Sequence, residues 1–262
     1  VTARFLFFIL SLSLLAGCID RSKIKPSPET ARRELALKGV PFDEPTFVER
    51  TANGEIVNVK LFLAAGMNPN VKAPDGRTPL LAAANKGHVK VISALLDAGA
   101  DMTLTDSKGL TPLMNAAHQG RADAAKLLLS RGADVNAMGS VGATALMYSS
   151  ISDDESLARI MIDAGADLNA RDKDVGTALA WAAYYNRPQM IRELLARGAD
   201  PNIGNESGGT PLMIAAYNGR QDIVQALLEK GADRKARDKE GLTAEKWAIR
   251  GRQPEIAALV KS

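Results

Sequence analysis

The chain reads as an all-α repeat solenoid, and three observations lead there. Thr78, Thr111, Thr144, Thr177, Thr210 and Thr243 stand 33 residues apart. Gly66, Gly99, Gly132, Gly165, Gly198 and Gly231 keep the same spacing, with "GAD" at 99–101, 132–134, 165–167, 198–200 and 231–233. Each unit also carries two short apolar stretches, neither able to bury its own face, so neighbours must stack. A period held in register over six units is the signature of a repeat array.

Each element has a local reason. In "TPLLAAANKG" the Thr78 hydroxyl is placed to cap a helix, with Pro79 at the first helical position, where a missing N–H costs little. Small residues such as Ala116 and Ala117 let a neighbouring helix approach closely. The first helix should stop at Gly54, Gly87, Gly120 and Gly219 in a left-handed residue. Asp153 and Asn186 fill the two register positions that lack glycine, and both tolerate that conformation. A second helix follows, marked by Leu95-Leu96, Leu127-Leu128, Leu194-Leu195 and Leu227-Leu228. "GAD" then turns the chain into a β-hairpin loop leading to the next Thr. In one loop, "DKDVG", Val175 replaces the usual glycine and Gly176 comes one residue late, which predicts a distorted turn.

The period, "TPL" and "GADVNA" resemble the ankyrin repeat over residues 45–262. The resemblance implies helix-turn-helix units joined by β-hairpin loops, with six full repeats (45–77, 78–110, 111–143, 144–176, 177–209, 210–242) and a shortened C-terminal cap (243–262). It implies protein binding without catalysis, on a concave face lined by the first helices. Before the array, residues 28–44 form a short N-terminal helix with Ser27 as cap and Pro28 in its first turn.

The chain opens with "VTARFLFFILSLSLLAGC". The apolar run Phe5–Ala16 would span roughly 18 Å as a helix, short of a bilayer crossing. A charged start, a short apolar run and a small-residue end read as a signal peptide over residues 1–17. Leu15-Ala16-Gly17-Cys18 resembles the bacterial lipobox. Cys18 is the only cysteine, so no internal disulfide is possible, and the resemblance makes it a lipid attachment point. Residues 18–27 then form a flexible, lipid-anchored tether. Ile19, rather than Asp, follows the cysteine, which by resemblance implies the outer membrane, periplasmic face, of a bacterial envelope.

The net charge of +3 (33 basic less 30 acidic residues) carries no nucleic-acid footprint. No cofactor, metal site or small-molecule substrate is expected. "NESGGT" at 205–210 resembles a serine-protease nucleophile loop, but Ser207 falls at a hairpin tip in register. "DKDVG" begins like a calcium loop, but the ligand spacing does not continue. His88 follows a helix stop and reads as structural, while His118 nears a helix end.

The aromatic residues point to the binding surface. Tyr148, Trp181, Tyr184, Tyr185, Tyr217 and Trp247 all fall in first helices. They either fill gaps between stacked helices or face outward as binding hot spots. The protein-binding set is Tyr148, Trp181, Tyr184, Tyr185 and Tyr217, rimmed by the hairpin-tip charges Lys173, Asp174, Glu206 and Lys239. The partner is a protein, with the membrane reached through Cys18. Three roles fit: scaffold or accessory factor, immunity-type inhibitor of a toxin, or structural envelope component.

Overall fold

The computed structural model of the protein describes residues 25–152 and 155–261. Cys18, the signal peptide and Asp153 lie outside the described residues. The chain begins with α1 (Pro28–Leu37), capped by Ser27, whose hydroxyl accepts from Thr30 N at 3.2 Å. Seven helix pairs follow. The first helices are α2 (Glu44–Ala52), α4 (Pro79–Lys86), α6 (Pro112–His118), α8 (Ala145–Ser149), α10 (Ala178–Tyr184), α12 (Pro211–Tyr217) and α14 (Ala244–Arg250). The second helices are α3 (Ile56–Ala64), α5 (Val89–Asp97), α7 (Ala122–Ser130), α9 (Ser156–Asp163), α11 (Pro188–Ala196), α13 (Gln221–Glu229) and α15 (Pro254–Leu259). First helix packs on first helix from α2 to α14, and α1 packs against α3.

The caps work as their spacing predicts. Thr78, Thr111, Thr177 and Thr210 each accept the backbone N–H three residues on, at 3.3 Å. Thr243 is the exception, with no side-chain cap bond. The helix stops obey the same local rule: Gly87 has φ +78° and Asn186 φ +58°. The short last repeat continues the series with Arg252 at φ +59°, after Gly251 rather than in a glycine of its own. Gly251 is needed for a different reason: a Cβ there would overlap the Tyr217 carbonyl, so only glycine lets the last turn close on α12.

Small residues bring the first helices together. Ala82, Ala83 and Ala84, Ala116 and Ala117, and Ala215 and Ala216 are all buried. In the second helices the core position is Leu95, Leu128, Met161, Leu194 and Leu227, each 0% exposed. Leu127, paired with Leu128 in the sequence reading, is only partly buried, because one register position further round the helix turns its side chain from the stack.

The loops make hairpin turns, yet no strand forms among the described residues. Each turn has a single ladder bond between its ends, as between Asp106 N and Leu110 O at 3.1 Å, and most add one bond inside the turn, as between Gly109 N and Asp106 O at 3.0 Å; the ladder is too short for extended strands. The "DKDVG" loop departs as expected. Asp172 N still reaches Gly176 O at 3.0 Å, but Val175 N donates to the Asp172 carboxylate at 2.9 Å, and Gly176 takes φ +114°.

Hydrogen bonds fasten neighbouring repeats at three levels. At the tips, Ser140 Oγ donates to Lys108 O, Lys173 N to Val141 O, Asn205 Nδ2 to Asp174 O and Lys239 N to Ser207 O, over 2.6–3.1 Å. At the "GAD" turns, Asn136 accepts from Asp167 N at 2.8 Å and donates to Gly165 O at 3.2 Å, and Asn202 repeats the pair with Asp233 and Gly231. At the opposite end His88, Arg121 and Arg187 reach the carbonyls of Ala52, Asn85 and Ile151. Arg220 sits in that series, but its Nε is buried without a partner.

No helix among the described residues is long and apolar enough to cross a membrane.

Candidate protein-binding surface

The first helices and the hairpins enclose a groove that runs along the array. Its floor is set by one register position, nine residues after the start of each hairpin: Asn115, Tyr148, Trp181, Ile214 and Trp247. The register position three residues further on, at or beside the end of each first helix, flanks it: Asn85, His118, Tyr184, Tyr217 and Arg250. The groove is therefore amide-rich toward its N-terminal end and aromatic from Tyr148 onward.

Four of the expected binding residues are brought into one row. The Tyr148 ring meets Trp181 at 5.6 Å, Trp181 meets Tyr185 at 6.0 Å, and Tyr185 meets Tyr184 at 5.2 Å. His118 extends the row at 5.3 Å from Tyr148, a member that the sequence reading had left out. Its signal was available, since it stands 30 residues before Tyr148 and 33 before Ile151, at the outward end of its helix. Tyr217 belongs elsewhere: it meets Trp247 edge-on at 6.1 Å. These two rings share a shallow concavity of about 310 Å³ with Lys239, Glu240 and Arg250. The groove thus holds two ring groups, because Ile214 at the floor position between them offers no ring.

Exposure divides the rings. Tyr184, Tyr185 and Tyr217 are 54%, 43% and 47% exposed, whereas Tyr148, Trp181 and Trp247 are half-buried. The half-buried rings fill space between helices as well as facing the groove. Lys173, Asp174, Glu206 and Lys239 are exposed at the tips, and of these Lys239 joins the Tyr217 concavity.

The half-buried tryptophans are held by hydrogen bonds. Trp181 and Trp247 each donate Nε1–H to the carboxylate nine residues earlier, Asp172 and Asp238, at 2.7 Å. Asn115 does the same to Asp106 at 3.1 Å. The other oxygen of each Asp caps its own hairpin, as where Asp238 accepts from Glu240 N and Leu242 N. Burial pushes the Asp238 carboxyl up, but the Leu242 N–H, the Trp247 indole, the Glu240 N–H and the Arg250 charge together hold it below its ordinary value.

The residues whose loops resemble a catalytic site, and the two histidines, have structural partners. Ser207 donates to Asn205 Oδ1 at 2.8 Å. His88 donates to the Ala52 carbonyl at 3.0 Å, and His118 lies beside Gln119 at 3.1 Å. Among the described residues, no group of three or more acidic, His or Cys side chains is placed to hold a metal ion.

The family model described as "Ankyrin repeats (3 copies)" matches residues 50–139, 137–205 and 179–262. No curated protein matches the sequence. Among solved structures the chain is similar to the human ASB11 ankyrin repeat domain, with a TM-score of 0.72 and 27% identity. That likeness covers 82% of this chain and 97% of the other. Ankyrin repeat domains are protein-interaction modules rather than enzymes, and no catalytic family is found in the chain. With its 33-residue units, capped helix pairs and matching family model over residues 50–262, the chain belongs to the ankyrin-repeat family.

Proposed function

We propose that this protein is a non-catalytic binding scaffold of the bacterial envelope, tethered to the outer membrane through a lipid on Cys18, that holds a partner protein in the groove. The observation that carries the binding site is the ring row from His118 to Tyr184, which ends in two tyrosines about half exposed. Tyrosines offer large area and a polar handle at low entropic cost, the usual makings of a hot spot. The tip charges Lys173, Asp174, Glu206 and Lys239 orient the partner more than they hold it.

A photocrosslinking amino acid at Tyr184, in the cells that produce the protein, tests this. It should capture one protein far more than the same group at Leu37, which is 80% exposed on α1. Tyr184→Ala and Tyr185→Ala should each weaken that complex by about 2 kcal/mol. Both should leave the melting temperature nearly unchanged. Equal capture from both positions, or loss of fold with normal binding by the folded fraction, would place the site elsewhere.

A further inference from the structure

The partner chemistry of the groove follows from one irregularity in its floor. Tyr148 stands between Asn115 and Trp181, each 33 residues away. Both neighbours are bonded to a hairpin carboxylate, Asn115 to Asp106 and Trp181 to Asp172. In the unit of Tyr148 the acid's place is taken by Gly139. The Tyr148 hydroxyl therefore has no carboxylate of its own to bond, and it makes no hydrogen bond with the described residues. The Tyr148 ring stands edge-on to two others, with centroids 5.3 Å from His118 and 5.6 Å from Trp181.

We infer that this place takes a guanidinium group, an arginine side chain on an exposed segment of the partner protein, whose N–H donates to the Tyr148 hydroxyl and whose plane stacks on the rings. The inference rests on the partner-binding reading above and specifies what the partner must present. Three observations favour a cation. The flanking carboxylates, Asp106 and Asp172, lie on both sides of Tyr148. Burial first, and then the charges of these two aspartates, hold the Tyr148 hydroxyl above its ordinary value. Next to this place, beside His118, lies a concavity of about 320 Å³ whose lining includes Asp75, Asp106, Asn115 and Gln119 but not Tyr148. Its own arginine, Arg77, is spent on Asp75 at 2.6 Å, and Lys108 stands exposed at the rim.

Arginine fits better than lysine because a guanidinium is planar, weakly hydrated and stacks on aromatic faces. The preference is local rather than global. The whole chain carries +3, so bulk charge repels a basic segment.

The test uses the full chain and short labelled Gly-Ser peptides that differ only in two side chains: arginine, citrulline, lysine or glutamate. Fluorescence anisotropy should find the arginine peptide about tenfold tighter than its citrulline isostere, with the gap closing at high salt. Tyr148→Phe removes only the acceptor hydroxyl. It should weaken the arginine peptide several-fold, weaken the citrulline peptide much less and leave the melting temperature in place. Equal binding of arginine and citrulline, or preference for glutamate, overturns the inference. If that happens while capture at Tyr184 persists, the partner chemistry is wrong and the binding site stands. If arginine peptides bind through Tyr148 and capture at Tyr184 fails, the cation site stands and the partner surface does not reach Tyr184.

Discussion

Trp181 donates its indole N–H to Oδ2 of Asp172 at 2.7 Å, and so locks a hairpin to the first helix of the next repeat. Asp172 is 3% exposed, and its other oxygen accepts from Val175 N and Gly176 N at 2.9 and 2.6 Å. Where the residue nine positions on cannot donate, the chain carries no Asp: Asn205 precedes Ile214, and Ala73 precedes Ala82. Trp181→Phe keeps most of the packing and leaves a buried acceptor unmet. The cost should be about 1–3 kcal/mol in urea melts. A melt identical to wild type would mean that water replaces the indole fully.

The core register can be tested with two adjacent leucines. Leu128 is 0% exposed in α7, while Leu127 is only partly buried. Leu128→Ala should cost about 2–5 kcal/mol, and Leu127→Ala clearly less. Equal costs would contradict the helix phase described above.

Gly251 should tolerate no side chain. The left-handed residue of that turn is Arg252, so Gly251 is required by contact with the Tyr217 carbonyl and not by its own backbone angle. Gly251→Ala should destabilise the C-terminal cap by about 1–3 kcal/mol. Hydrogen exchange should locate the loss in α14 and α15. A variant with unchanged exchange in these helices would show that the turn can shift freely.

Acid should loosen the last hairpin through Asp238. Its folded pKa lies below the ordinary value, so the ionised carboxylate stabilises the fold above the unfolded pKa. That contribution is lost as pH falls through the lower folded value. The melting-temperature advantage of wild type over Asp238→Asn should therefore be greatest near neutrality. It should shrink once the pH drops below about 3.9, the ordinary aspartate pKa. A gap that stays constant down to strong acid would mean that the carboxylate charge adds nothing.

Lipid attachment is tested at Cys18. Metabolic labelling with a radioactive fatty acid should mark the wild-type protein, and Cys18→Ala should abolish the label. Edman or mass-spectrometric analysis should place the mature start at Cys18. An unlabelled wild-type protein that still begins at residue 1 would end the lipoprotein reading.

The sequence by itself determined the helix pairs, their order and their ends, because these depend on residues within one turn of chain. A Thr three positions before an N–H, a Pro at the first helical position and a Gly or Asn at a left-handed stop act locally, and a fixed period repeats them. Its register also puts Tyr184 and Tyr185 at a helix end, where both stand about half exposed. The tertiary structure alone decided what depends on neighbours. It buried Leu128 rather than Leu127, paired Tyr217 with Trp247, and brought His118 into the ring row. It let Gly251 close on a carbonyl 34 positions earlier, and it turned an Asp at a hairpin start into a partner for a tryptophan in the next unit. Such contacts form between groups whose distance is set by how one helix rotates against the next, and a one-dimensional pattern records spacing along the chain but not that rotation.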